Sequence, residues 1–463
     1  MIFAGTSRAR LGPAAALIDT TRQMVAACEE NRLTRAVDTG TSEPPRLSIA
    51  ELLRYIGGDE RDVSRSVAVD ADVDARRAHA EYAFRASGFE STVVLVCDAN
   101  RPRGWAAWEF HQGDGAAGDG ANPPLELTQN IGDYPIAAIY SGLAESLGFR
   151  PMREEHLVEA LARARHPEAL ATQQRLGDDL LTLIQRVRQH STSRALCVTG
   201  GLFFNTYYTT LAAGAGIFER VYVPPHPGRN GAAVGAALLA ANGGLSSGIR
   251  AQTGSPYLGP SYTDLQIKET LENCKLSFDL LHTERLIDVV LHALSRGRLV
   301  GWYHGRLEWG PRALGHRSVL ADPLAPHVLE NLNGFLKRRP SYRTYGVSVP
   351  LSDLERYFER VAVAGPAASP FMQFEYRPRD PEKFRPVLPD GVQSLRVHTV
   401  DDSEPRFLRL LQLWGERTGV PVLVNTSFNG FHEPLVCSPR DAIRVFYGTG
   451  LDVLALENFY LRK

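Results

Sequence analysis

At 463 residues the chain is too long for one ordinary core and is expected to fold as two domains or more. Hydrophobic residues make up 44% and charged residues 22%, a globular profile, and the formal net charge of −1 excludes a nucleic-acid or membrane binder by bulk charge. Five singly scattered cysteines exclude a disulfide framework or a Cys-based zinc site; with no bilayer-length apolar run and no secretion signal, a soluble protein of the reducing cytoplasm is expected.

Along the chain, Met1 to Ala4 is a weak strand, followed by a small-residue turn and the apolar run Ala14 to Ile18. Arg65 to Asp70 is a short strand, and helical spacing extends from Ala75 to Ala86. Ser91 to Asp98 is an apolar strand ending in a carboxylate. Arg101 to Pro124, rich in Gly and Pro, predicts a loop. Helices are predicted over Ile136 to Leu147, Glu154 to Arg165 and Ala169 to Gln189. Strand Ala195 to Thr199 runs into Gly200-Gly201, and strand Arg220 to Val223 runs into a Pro/Gly-rich turn before the small-residue helix Ala232 to Asn242. Strand, Gly-rich turn and helix N-terminus is an arrangement that points backbone N–H groups at an anion. The polar stretch Asn242 to Ser261 predicts a linker.

The second half alternates helix Glu284 to Ser295, strand Leu299 to Tyr303, helix Pro326 to Arg338, strand Ser394 to Val400, helix Glu404 to Thr418 and strand Val420 to Asn425. Ser438-Pro439-Arg440-Asp441 predicts a capped helix to Gly448, before strands Val453 to Leu456 and Asn458 to Leu461. Alternation of strands and helices means an α/β architecture in both halves, with no internal sequence repeat.

The most informative stretch is Gly305 to Ser318, in which Arg306, Arg312, Arg317 and His316 are interleaved with three glycines and a proline. That much Gly and Pro predicts a shaped loop, and guanidinium groups on a loop match the forked oxygens of phosphate or carboxylate. The bland alternative is a solvated basic surface. A second basic segment follows, with Lys337, Arg338, Arg339 and Arg343, and Asn425-Thr426-Ser427-Phe428-Asn429-Gly430 directly follows an apolar run. Together these predict one polyphosphate-binding site.

Three segments, Gly301 to Pro323, Leu332 to Val349 and Gly419 to Ala442, resemble the O-carbamoyltransferase family of the nodulation-protein and cephamycin or tobramycin tailoring type. Gly200 to Asn205 and Pro227 to Ala237 are similar to the end of that family's first domain. The resemblance implies an actin-like ATPase-type (ASKHA) domain over residues 1–255 and a YrdC-like α/β domain over residues 262–463. It implies that the second domain activates carbamoyl phosphate with ATP, and Mg2+ on the nucleotide, to carbamoyl-adenylate. The first domain then passes the carbamoyl group to the hydroxyl or amine of a small-molecule acceptor, as in antibiotic biosynthesis. Lys337 and Arg343 are expected as phosphate clamps, with Arg306, Arg312, Arg317, Arg339, Arg396, Asn425, Ser427 and Asn429 lining the site, and His79 with Lys337 and Arg343 carrying the chemistry. Some of the arginines are expected to be structural, paired with Glu308, Asp322 or Glu433.

The first domain departs from the family pattern. Leu11 and Gly12 stand where a His-Asp pair is expected, Ala75 and Arg76 replace two histidines so that His79-Ala80 alone remains, and Arg229 stands in place of a metal-binding carboxylate. His79 and Asp98 are the metal ligands left, with His226 as a rescue; a divalent ion needs more donors than that pair, so a first-domain metal is expected to be absent, with Arg229 supplying part of its charge. Three readings stay open: an ATP-dependent carbamoyltransferase with an altered acceptor domain; an adenylate-forming ligase for another acyl or amine partner; and a non-catalytic partner protein. A homodimer is one open expectation, since the residues do not fix the oligomeric state.

Overall fold

The computed structural model describes residues 1–9, 12–36, 43–99, 104–114, 123–129, 131–241, 245–361 and 368–463. Leu11, residues 101–103 and 115–122 of the Gly-rich stretch and the start of the expected linker lie outside the described residues. The chain divides into two compact units, the first over Met1–Pro260 and the second from Ser261 to the last residue.

The first unit holds two mixed sheets. Strands β1 (Ile2–Ala9), β2 (Gly12–Asp19), β3 (Met24–Glu29) and β4 (Val63–Ala68) pair in the order β3-β2-β1-β4. Strands β5 (Ser91–Cys97), β6 (Trp105–His111), β7 (Leu125–Glu126), β8 (Ala195–Thr199) and β9 (Arg220–Tyr222) pair as β7-β6-β5-β8-β9. Both are wound alike. The first strand is central, the second and third add antiparallel on one side, and the fourth adds parallel on the other. A duplication invisible in the residues is therefore plain in the topology.

Helices Ala75–Ser87 and Ala232–Ala240 fill the space beside these sheets, and small side chains let them approach closely. A Cβ on Gly235 would overlap the Ala78 carbonyl, and one on Gly5 would overlap the Ala233 carbonyl. This is why Ala232–Ala240 is built almost wholly of Ala, Gly and Val before its leucines.

The second unit is one ten-stranded sheet. Its strands are β10 (Asp279–Leu280), β11 (Val300–Tyr303), β12 (Arg317–Ala321), β13 (Gly346–Pro350), β14 (Phe358–Arg360), β15 (Glu375–Pro378), β16 (Leu395–Val400), β17 (Leu423–Ser427), β18 (Val453–Leu456) and β19 (Phe459–Arg462). They pair in the order β10-β19-β18-β11-β12-β17-β13-β16-β15-β14. Helix Thr283–Leu294 presents Leu286, Ile287, Val290, Leu291 and Leu294 on one stripe, and helix Pro405–Thr418 presents Phe407, Leu410, Leu411 and Trp414. Both stripes bury against Val300, Trp302, Leu320, Leu423 and Val453 of the sheet. The capping box at Ser438 forms as expected, with Pro439 opening the helix Pro439–Gly448.

Three expectations need correction. The predicted loop after Asp98 contains β6, whose Trp105–Phe110 side chains are buried between layers; its flanking Gly and Pro masked the strand pattern. The predicted linker contains helix Ser247–Thr253, capped by Ser246 and anchored by buried Ile249 and Thr253. Pro326 to Arg338 is not a regular helix: Val328–Glu330 opens into a wide π-type segment, Asn331–Lys337, stopped by Arg338 in the left-handed region at φ 46°.

Candidate functional site

Registers in the second unit bring the predicted site segments to one end of the sheet. Strand β11 ends at Tyr303, opposite Arg317, where β12 begins. Strand β17 ends at Ser427, opposite Ser318, and its Asn425 faces Gly346 at the start of β13. Strand β16 pairs Val397 with Val347, one residue past Arg396. The arginine loop, the basic segment before Gly346, the Asn425–Asn429 segment and Arg396 thus meet at neighbouring strand ends.

Glu308 organises the arginine loop from within. It is buried, and its Oε1 accepts the backbone N–H groups of Leu314 (2.9 Å), His316 (3.0 Å) and Arg317 (2.9 Å). Gly305 and Gly315 have positive φ, and a Cβ at either would press into the His316 or Phe407 ring. His316 bridges the loop, with Nδ1 2.6 Å from the Arg306 carbonyl and Nε2 2.7 Å from Glu404 Oε2. At the loop's root, Glu457 accepts from the Gly305 amide at 2.6 Å and lies 2.7 Å from His304 Nδ1 and 3.2 Å from Arg406 Nη1. Burial opposes ionisation of Glu457, but the His304 bond and these neighbouring donors hold its carboxyl below the ordinary value.

The three carboxylates expected as arginine partners are engaged as follows. Glu308 holds backbone amides, Asp322 accepts the Leu324 amide at 2.9 Å, and Glu433 grips Arg444 through two bonds of 2.7 Å. Arg317, expected to touch the ligand, is 0% exposed. Its Nη1 donates to the carbonyls of His304 (2.7 Å) and His316 (3.1 Å), and its Cζ sits 3.5 Å over the Tyr303 ring. Arg317 therefore holds the loop's two roots together from beneath. Arg306, Arg312, Arg339, Arg343 and Arg396 are all partly exposed.

Lys337 is 2% exposed and ties the basic segment to β17. Its Nζ donates to the Ser427 carbonyl at 2.5 Å and to Asn429 at both O (3.0 Å) and Oδ1 (2.5 Å). Burial, then nearby Arg339, pushes its pKa well below that of an ordinary lysine. Ser427 Oγ also donates to Asn429 Oδ1 at 2.8 Å, and Asn425 Nδ2 donates to Ser348 Oγ at 2.9 Å, which lies 3.0 Å from His398 Nδ1. Tyr345 Oη donates to Asn333 Oδ1 at 2.5 Å. Burial drives that hydroxyl up to about 12 against the opposing fields of Arg339 and Arg343. Those two guanidinium groups therefore share a neighbourhood.

In the first unit, the turns that were expected to form an anion or metal site are stitched together. Gly200 donates its amide to the Pro227 carbonyl at 2.8 Å, beside Cys97 at the end of β5, and buried Asp98 follows. A network absent from the sequence reading fills the interior. Glu29 Oε1 lies 3.2 Å from His226 Nε2 and accepts Asn230 Nδ2 at 3.1 Å, while Arg32 ion-pairs with Glu29. Ser7 Oγ donates to Asn230 Oδ1 at 3.3 Å. His226, considered as a spare metal ligand, is thus engaged by a carboxylate. Arg229 ion-pairs with Asp70 and donates to the Arg8 carbonyl at 2.7 Å, so its charge is neutralised locally and does not stand in for a cation.

His79, expected as a catalytic and metal-binding residue, is 0% exposed in the core, and neither ring nitrogen has a hydrogen-bond partner among the described residues. Among those residues no group of three or more His, Cys, Asp or Glu side chains is placed to hold a metal ion. With Glu29 committed to Arg32, His226 and Asn230, the donors present do not fit the family metal.

Burial, reinforced by neighbouring His226, lowers the His79 pKa to about 3; burial and His316 lower that of His398 to about 3. Both are below the unfolded value near 6.5, so the unfolded chain binds the extra protons between those limits and stability falls as pH falls from 6.5. Urea midpoints are expected to drop between pH 7.5 and 5 with a cost of about 1.4 kcal/mol per pH unit per histidine below 6.5. His79→Leu should flatten that slope for the first unit; an unchanged slope would show that His79 is not buried neutral.

Residues 291–463 match the family model Carbamoyltransferase C-terminus, and residues 135–238 match Carbamoyltransferase N-terminus. An uncharacterized Synechocystis protein, sll1178, is 34% identical over 343 residues, covering 65% of this chain and 54% of that protein. Nodulation protein NolO of Bradyrhizobium diazoefficiens is 32% identical over 271 residues, covering 58% and 49%. The 3'-hydroxymethylcephem-O-carbamoyltransferase of Amycolatopsis lactamdurans is 31% identical over 271 residues, also covering 58% and 49%. Between them the two models cover more than half of the chain, which belongs to the carbamoyltransferase family they describe. It spans about half the length of these three relatives. No helix among the described residues is long and apolar enough to cross a membrane.

Proposed function

We propose that this protein is an ATP-dependent carbamoyltransferase of small-molecule biosynthesis. The second unit, as a YrdC-like domain, binds ATP with Mg2+ and carbamoyl phosphate. Water releases inorganic phosphate from carbamoyl phosphate, and the resulting carbamate oxygen attacks the α-phosphorus of ATP with pyrophosphate as leaving group. AMP leaves when the carbamoyl group is passed on. The observation that carries this reading is that the sheet registers bring the segments bearing Arg306, Arg312, Arg339, Arg343 and Arg396 to adjoining strand ends, beside the segment tied down by Lys337. Two polyanions brought together repel each other, and fixed cations that need no reorganisation offset that repulsion in the transition state. In this reading Arg343 and Arg339 act as phosphate clamps, while Lys337 and Arg317 hold the segments that carry them.

The first unit, as an actin-like domain, passes the carbamoyl group to an acceptor hydroxyl or amine. The repeated winding of its two sheets supports that fold. Its Glu29–Arg32–His226–Asn230 network favours transfer without a first-domain metal.

The test is pyrophosphate release from ATP with carbamoyl phosphate, with and without candidate acceptors. Release only with a different acid would favour a ligase, and silence in every combination would favour a non-catalytic partner protein. Arg343→Ala is expected to lower release by about 100-fold or more with an unchanged melting temperature, the size typical of losing one fixed transition-state donor. His79→Ala is expected to leave release intact. Arrest of release by His79→Ala would break the division of labour between the units.

A further inference from the structure

Beside the Lys337 knot, Arg338 of the basic segment and Phe431, neither of them among the expected ligand contacts, lie against each other at the surface. Phe431 is 45% exposed, and the Arg338 guanidinium carbon lies 5.9 Å from its ring centroid. The backbone is bent to make this pair: Arg338 has φ 46°, and His432, whose ring meets Phe431 edge-on at 4.1 Å, has φ 50°. Left-handed conformations at non-glycine residues are costly, and they persist where the surroundings impose them, often at ligand sites.

The surroundings here are rigid. Lys337 immediately precedes Arg338, and Asn429, which Lys337 grips twice, lies two residues before Phe431. Asn429 Nδ2 also donates to the Glu433 carbonyl at 2.5 Å, closing the turn that presents Phe431. One buried ammonium therefore fixes both halves of the aromatic–guanidinium pair, at the margin of the cationic strand ends.

We propose that Phe431 and Arg338 form the platform on which the nucleobase of the bound nucleotide stacks, while the phosphates run to the arginines. This rests on the polyphosphate site proposed above and adds to it the part that tells a nucleotide from a bare polyphosphate. Stacking on an aromatic face is tolerant of base identity, so the platform supplies affinity for a purine more than a choice between purines.

The experiment compares ATP, GTP and inorganic tripolyphosphate by calorimetry on the full chain and on Phe431→Ala, Phe431→Trp and Arg338→Met. Phe431→Ala should weaken ATP and GTP by about tenfold or more while tripolyphosphate binding stays within twofold, and Phe431→Trp should retain nucleotide affinity. Arg338→Met should weaken nucleotides more than tripolyphosphate. If Phe431→Ala leaves ATP affinity unchanged, or weakens ATP and tripolyphosphate alike, the platform is wrong. If the wild-type chain binds tripolyphosphate as tightly as ATP, the base has no subsite and the platform falls while the anion site stands. If neither binds, the polyphosphate site and the platform fall together.

Discussion

Glu308→Ala is expected to abolish pyrophosphate release and to lower the melting temperature of the second unit. One carboxylate oxygen holds three backbone amides, those of Leu314, His316 and Arg317, inside a buried turn. Hydrogen bonds to a charged acceptor contribute about 1.5–3 kcal/mol each, and the three amides left behind would be buried without partners. The loss should be about 4 kcal/mol or more, less than the simple sum because the loop relaxes and admits water. Glu308→Gln is the sharper comparison, because it keeps the shape and removes the charge. It should recover much of the stability, since the amide oxygen can still accept all three N–H groups and the NH2 takes the place of Oε2, which has no partner among the described residues; the part not recovered measures the charge on the acceptor. Chemical denaturation and the pyrophosphate assay check both. If Glu308→Ala kept wild-type melting and turnover, the arginine loop would owe its shape to something else.

Lys337→Met is the second large effect. Methionine fills a similar volume but leaves the Ser427 carbonyl, the Asn429 carbonyl and Asn429 Oδ1 without their shared donor. Two segments held apart in sequence, at positions 337 and 427–429, then lose their tether, and activity should fall by about 1,000-fold with a stability loss of about 2–4 kcal/mol. Lys337→Arg should not rescue, because a planar fork cannot point three donors at three oxygens from the same depth. Proton linkage gives a second signature. The depressed folded-state pKa lies below that of the unfolded lysine, so the unfolded chain binds more protons in between. In wild type this side chain adds stability as pH rises toward 10.5, and Lys337→Met should lose that alkaline gain. Unfolding free energies measured between pH 7 and 10 would show it; parallel curves for the two proteins would contradict a depressed Lys337.

How much of this was legible in the residues follows from the range of the forces involved. Helices such as Pro167–Gln189 and Pro405–Thr418 announce themselves through periodic apolar stripes and proline starts, both local properties. Strand β3, Met24–Glu29, gives no such signal, because its small buried residues gain their strand conformation from pairing with β2. The two-residue strands β7 and β10 exist only as partners of β6 and β19.

The site divides in the same way. Clustered arginines and the Asn425–Asn429 segment were visible because their chemistry is written side by side. The pairings that decide their roles were not. Glu308 looked like an arginine's counter-ion and proved to hold amides; Arg317 looked like a ligand contact and proved to be a buried brace. Glu29, Arg32 and Asn230 met only once β3 and the turn after β9 were folded against each other. Phe431 carried no notable pattern of its own, Arg338 was visible only as part of the basic segment, and their pairing depends on a lysine knot that no spacing rule describes.

Mixed strand direction in the second unit has a kinetic corollary. Tyr303, Arg317, Gly346, Arg396 and Ser427 become neighbours only after strands from distant parts of the chain have zipped into register. Such high contact order makes closure slow. During refolding, recovery of turnover should trail the appearance of helical circular dichroism and coincide with the last, slowest phase.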